Sequence, residues 1–131
     1  MTDLSQFKNE HHLSLETFRK SGVSVKTPVW FAQEGDALYV WTGSAAGKVK
    51  RIRNNARVNI APCQRFGEIT GEWMSAHASI DDSDAAIQHV TTLLRQKLGF
   101  EFVPFSMIEK VMDKLKGHHR VCIKIALIES K

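Results

Sequence analysis

From Val23 to Phe31 the chain alternates with a period of two: Val23, Val25, Thr27, Val29 and Phe31 on one side, Ser24, Lys26, Pro28 and Trp30 on the other. That period marks a β-strand rather than a helix, because successive side chains of a strand point to opposite faces. Pro28 cannot donate to a ladder, so the strand is expected to lie at an edge, to carry a bulge, or to have something other than a strand alongside it. Similar reasoning gives strands over 12–19, with Leu13, Leu15 and Thr17 on one side, over Leu38 to Thr42, Arg57 to Ala61, Ile69 to Ile80 and His119 to Ile128. Lys20-Ser21-Gly22 and Glu34-Gly35-Asp36 supply turns. After Gly43-Ser44 a short helix is expected, with Ser44 as N-cap and Ala45, Val49, Ile52 and Ala56 as its apolar stripe. A helix over 83–98 carries Ile87, Val90, Leu94 and Leu98; a second begins on the Ser106 and Glu109 capping pattern and ends at Gly117. The fold class is mainly β with added α: a six-stranded antiparallel barrel, a short helix after the third strand and a helix pair before the last.

Composition narrows the function. At 131 residues, 43% hydrophobic and 24% charged, residues 1–131 form one ordinary globular domain. No apolar run approaches a membrane span, and the start MTDLSQFKNEHH lacks the apolar stretch of a signal peptide, so a cytoplasmic location and no membrane partner are expected. Cys63 and Cys122 form no framework and read as buried thiols. The net charge of +4 is concentrated: between Asp36 and Glu68 there is no acid, while Lys48, Lys50, Arg51, Arg53, Arg57 and Arg65 supply six bases. An anionic partner follows.

The common catalytic constellations are not found. His11-His12 and His118-His119 are adjacent pairs that point apart on a strand, His77 and His89 stand alone, and no metal site is expected. There is no GxSxG elbow, and Asp81-Asp82-Asp84 fall at a helix start, where acids are favoured anyway. Trp73 reads as a core or interface residue. What remains is the run from Trp41 to Arg51, a strand passing through Gly43 and Gly47 into a basic helix with Lys48. Free N–H groups at a helix start, glycine and flanking cations suit a phosphate, although the lysine is not in a P-loop. Trp41, and Trp30 with Lys26, offer a flat surface beside it.

The strand VSVKTPVWFAQEGDALYVWTG, the helix GKVKRIRNN, then ARVNIAPC and ITGEW follow one another in an order that resembles the pyridoxamine 5'-phosphate oxidase-like split-barrel family, which binds flavin mononucleotide (FMN) or the deazaflavin F420. The resemblance spans nearly the whole chain and is nearest to the short, F420-dependent branch. It implies that Lys48 binds the cofactor phosphate with Arg51 nearby, that Trp41, Thr42, Gly43 and Gly47 precede and shape that turn, and that Lys26 also reaches the phosphate. It implies further that Thr27, Pro28 and Val29 lie along the ring system and that Thr70 contacts the ring. Family members are homodimers with cofactor at the subunit interface. The implied activity is hydride transfer between F420 or FMN and a small conjugated organic substrate, with no catalytic side chain of the protein's own. Lys26 stands where FMN-binding members have arginine, Ala56 replaces a proline, and the closing tryptophan and arginine segment of the true oxidases has no counterpart. The alternatives are a non-catalytic flavin, deazaflavin or haem binder, and a basic barrel gripping nucleic acid with Lys48, Lys50, Arg51 and Arg53.

Overall fold

The computed structural model describes residues 4–99, 104, 107–108 and 119–128. After a 3-10 turn at Ser5–Phe7 come β1 (His12–Phe18), β2 (Ser24–Trp30), β3 (Ala32–Glu34), β4 (Ala37–Gly43), α1 (Gly47–Asn54), β5 (Arg57–Cys63), β6 (Met74–Asp81), α2 (Asp84–Leu98) and β7 (Arg120–Leu127). The strands form one sheet of seven, in the order β2-β1-β5-β6-β7-β4-β3, and every pairing is antiparallel. β2 and β3 occupy opposite edges, yet only Phe31 separates them in the chain. The sheet must therefore curl until its edges meet, and β2 comes alongside β4 without a ladder between them. This is a curled antiparallel half-barrel, open along one seam.

Alternation places the core. Leu13, Leu15, Phe31, Leu38, Val40, Val58, Ile60, Ile123 and Ile125 fill the inside of the curl, each at most 1% exposed. Burying one such side chain contributes roughly 2 kcal/mol. Phe7 closes the packing against Phe31 edge-to-face, with ring centroids 5.8 Å apart. The outward residues of β4 and β7, Trp41 and Cys122, meet Val90, Leu94 and Leu98 of α2, as the stripe on that helix requires. Ser83 caps α2 by accepting from the Ala86 N–H at 3.2 Å. Pro28 lies on an edge strand, as its missing donor demands.

Four expectations are corrected. Among the described residues there are seven strands rather than six, because the strand expected from Val23 to Phe31 ends at Trp30, Phe31 turns into the core, and Ala32–Glu34, not expected as a strand, pairs with β4 as β3. The strand expected over 69–80 begins only at Met74. Gln6 holds the preceding backbone instead, accepting from the Glu72 N–H at 3.0 Å and donating to its carbonyl at 2.8 Å. Gly71 permits that approach, since a Cβ there would meet Gln6 Oε1 and Pro62 Cγ at 2.5 Å. Ser44 does not cap α1; its hydroxyl accepts from the His119 N–H at 3.3 Å and its own N–H donates to the His119 carbonyl at 2.7 Å, so it seals the β4–β7 end. Ala45 and Ala56 fall outside α1 and are exposed, leaving Val49 and Ile52 as its buried stripe. The helix expected from Ser106 to Gly117 falls largely outside the described residues.

Candidate cofactor cleft

The seam between β2 and β4 opens into a cleft of about 450 Å3, within the range of small-molecule sites. Its walls are Pro28, Val29 and Trp30 of β2, Trp41 and Thr42 of β4, Leu94 of α2, and His12, Arg65, Phe66 and Arg120 around the mouth. Curling puts them together, because β2 and β4 are far apart in the sheet order. No carboxylate is among these residues. The Arg120 guanidinium lies over the Trp41 ring, 4.5 Å from its centroid, within cation–π range. His12, paired opposite Trp30 in the β1–β2 ladder, tilts at 45° to that indole with 6.1 Å between ring centroids. Arg65 and the 83% exposed Phe66 form the tip of the β5–β6 connection.

Three residues beyond β4, α1 begins on Ala46, which has no side chain to cap the first turn. Its first turn carries no acid. Lys48 is half-buried there, and burial followed by the charge of Arg51 lowers its pKa. Burial and then Arg19 lower that of Arg51, whose Nε donates to Thr17 Oγ1 at 2.6 Å. Gly47 leaves room for this guanidinium; a Cβ there would meet Arg51 Nη1 at 2.6 Å. Among the described residues the one ion pair is His89 with Glu34 at 2.8 Å, so neither Lys48 nor Arg51 has a carboxylate partner. The half-buried Lys48 and the guanidinium of Arg51 thus lie together near a helix start that has no side-chain cap, an arrangement with which an anion could pair.

Of the residues singled out from the sequence, Pro28, Val29, Trp41 and Thr42 line the cleft, Gly47 and Lys48 open α1, and Arg51, in its last turn, reaches its guanidinium back to Gly47. Gly43 ends β4 opposite Arg120. Thr27 faces the interior side of β2, and its Oγ1 is buried without a hydrogen-bond partner among the described residues. Two lie elsewhere. Lys26 is exposed, its Nζ 5.2 Å from the centroid of Trp73, and Thr70 sits in the β5–β6 connection, where its N–H donates to the Pro62 carbonyl at 2.9 Å. Trp73 itself is at the surface, 37% exposed, and is no core residue. His12, Phe66, Leu94 and Arg120 carried no local signal, since only the curl brings them to the seam. No group of three or more metal-ligating side chains exists among the described residues, nor is any described helix long and apolar enough to cross a membrane.

A sheet curled into an open-seamed barrel with a cleft at the seam is a split barrel. The solved structures similar to this chain include an F420 reductase (14% identity, TM-score 0.62, covering 98% of this chain and 95% of that one). They also include HutZ, the haem storage protein of Vibrio cholerae (15%, TM-score 0.68, 96% and 87%). A third is a candidate pyridoxamine 5'-phosphate oxidase from Listeria innocua (14%, TM-score 0.66, 95% and 90%). No protein-family model matches the sequence, and no curated protein matches it significantly. At these identities the likeness is one of fold. The chain has the pyridoxamine 5'-phosphate oxidase-like split-barrel fold that the sequence resemblance implied.

Proposed function

We propose that the chain holds F420 or FMN with its ring in the β2–β4 cleft and its phosphate on the start of α1, and serves hydride transfer to or from a small conjugated substrate. The observation that carries this reading is the pair Lys48 and Arg51: half-buried, like-charged, without a carboxylate, and one short connection beyond the cleft-lining Trp41 and Thr42. When bound, the tricyclic ring supplies the hydride chemistry. The chain's own residues then bind and orient: Lys48 and Arg51 neutralise the phosphate, Pro28, Val29 and Trp41 form an apolar wall that excludes water, and Arg120 lies over the Trp41 ring. No acid, base or nucleophile of the chain is required in this reading. A homodimer completes the cleft in this reading; the exposed Phe66, Ile69 and Trp73, all on the β5–β6 connection, supply apolar surface for it.

A haem carrier is the second reading, favoured by His12 at the cleft mouth and by the likeness of fold to HutZ. One experiment separates the two. The purified protein is titrated with FMN, F420 and haemin while absorbance and cofactor fluorescence are followed, and its mass in solution is measured by light scattering. Saturable micromolar binding of FMN or F420 is expected; saturation by haemin alone selects the carrier, and binding of none of the three ends both readings.

A further inference from the structure

A second cavity, of about 310 Å3, opens between α2, β3 and the N-terminal turn. Phe7 and Leu93 give it apolar walls, Gln33 and Gln96 line it with amides, and Lys8 and Lys97 bring amines to it. Lys97 is unusual. Its Nζ donates to the Phe31 carbonyl at 2.9 Å and sits 3.5 Å from the centroid of the Phe31 ring, so one side of the amine is tied to the chain while the group still borders the cavity. No carboxylate lies within ion-pairing distance among the described residues. Burial lowers its pKa to about 8, with the field of Glu10 working the other way; Lys8, on the same cavity wall, is the other charged group facing this space.

We infer that Lys97 is an acylation site, an amine placed at the wall of a small cavity to accept an acyl group from an activated acyl donor, an acyl phosphate or acyl thioester. In the step, the neutral amine's lone pair forms an N–C bond to the donor's carbonyl carbon. The C–O or C–S bond breaks, phosphate or thiolate leaves with the electron pair, and the nitrogen releases its extra proton to water. The product suits its surroundings better than the ammonium does. An amide keeps one N–H for the Phe31 carbonyl, carries no charge to desolvate, and sends its alkyl group into the space walled by Phe7 and Leu93. An anionic adduct would set a negative charge against that same carbonyl oxygen. One turn earlier on α2, Leu94 lines the cleft, so the modification lies on the helix that walls the proposed cofactor site without touching it.

The test uses the intact protein with acetyl phosphate in one arm and an acetyl thioester in the other, and peptide mass spectrometry to read acetylation at each lysine over pH 7 to 10. Near pH 7.5 the neutral fraction of this amine exceeds that of an ordinary lysine by about two orders of magnitude, while a less basic nucleophile is slower by about one. Lys97 is therefore expected to acetylate about tenfold faster than the exposed Lys20, Lys50 and Lys124, with a rate midpoint near pH 8. The arm that gives the faster selective reaction identifies the donor. Lys97→Arg keeps the tie to Phe31 and should abolish the fast phase alone. A Lys97 rate at or below that of the exposed lysines in both arms, or a midpoint no lower than theirs, overturns the assignment.

Discussion

Lys48, near the start of α1, and Lys97, near the end of α2, are both half-buried and both lose basicity to burial, yet their surroundings differ in kind. Lys97 has its partners inside the chain, a carbonyl oxygen and a ring face from the same residue, Phe31. Lys48 has Arg51, a second cation, and the bare start of α1. Two like charges held close together, one of them half-buried and neither facing a carboxylate, would be relieved by an anion from outside, as the proposed function requires. The contrast separates a lysine held by the fold itself from the one that the proposed function assigns to a ligand.

The sharpest way to break the contrast is substitution at the ligand lysine. Lys48→Ala should raise the dissociation constant for the cofactor about 10- to 100-fold, the loss of one charge-assisted contact, while Lys97→Arg leaves it unchanged. A fluorescence titration that finds the two variants alike would dissolve the distinction. Next in size, inorganic phosphate at about ten times its dissociation constant should raise the midpoint of thermal unfolding by a few degrees through linkage. That rise should vanish in Lys48→Ala and persist in Lys97→Met, which scanning calorimetry can follow. A pH effect of comparable size is expected at Lys97. Its folded pKa, about 8, lies below the ordinary lysine value, so between the two the unfolded chain binds more protons and folding stability gains as pH rises. Urea unfolding of the wild type relative to Lys97→Met should improve from pH 7 to 10; a flat difference would mean the amine is not desolvated. The least effect is expected at the thiols. Cys63 and Cys122 are 1% and 2% exposed and burial pushes both up to about 11, so iodoacetamide should leave both unmodified in the native protein at pH 8.

Much of the scaffold was legible because its signals are local. The period of two in β1 and β2, the missing donor of Pro28 and the stripe on α2 each depend on residues close in sequence, and each holds in the structure. The errors arise where distant contacts override local pattern. Residues 69–73 look like strand, but Ile69 makes only an isolated bridge to Cys63, and Gln6, 66 residues away from Glu72, takes up the Glu72 N–H and carbonyl. Ser44 looks like a cap, but His119, 75 residues away, claims its hydroxyl. The cleft divides the same way. Pro28, Val29, Trp41 and Thr42 could be found because two recognisable strands carry them, whereas Arg120 and His12 join only when the sheet curls.

Pro28 has one more consequence. An edge strand with a full row of donors invites another strand to add to it, the first step towards fibres. A proline in the middle of β2 interrupts that row on the chain's longer open border, while the opposite border, β3, is only three residues long. The barrel thus keeps its mouth accessible to small molecules while offering little template for runaway self-assembly.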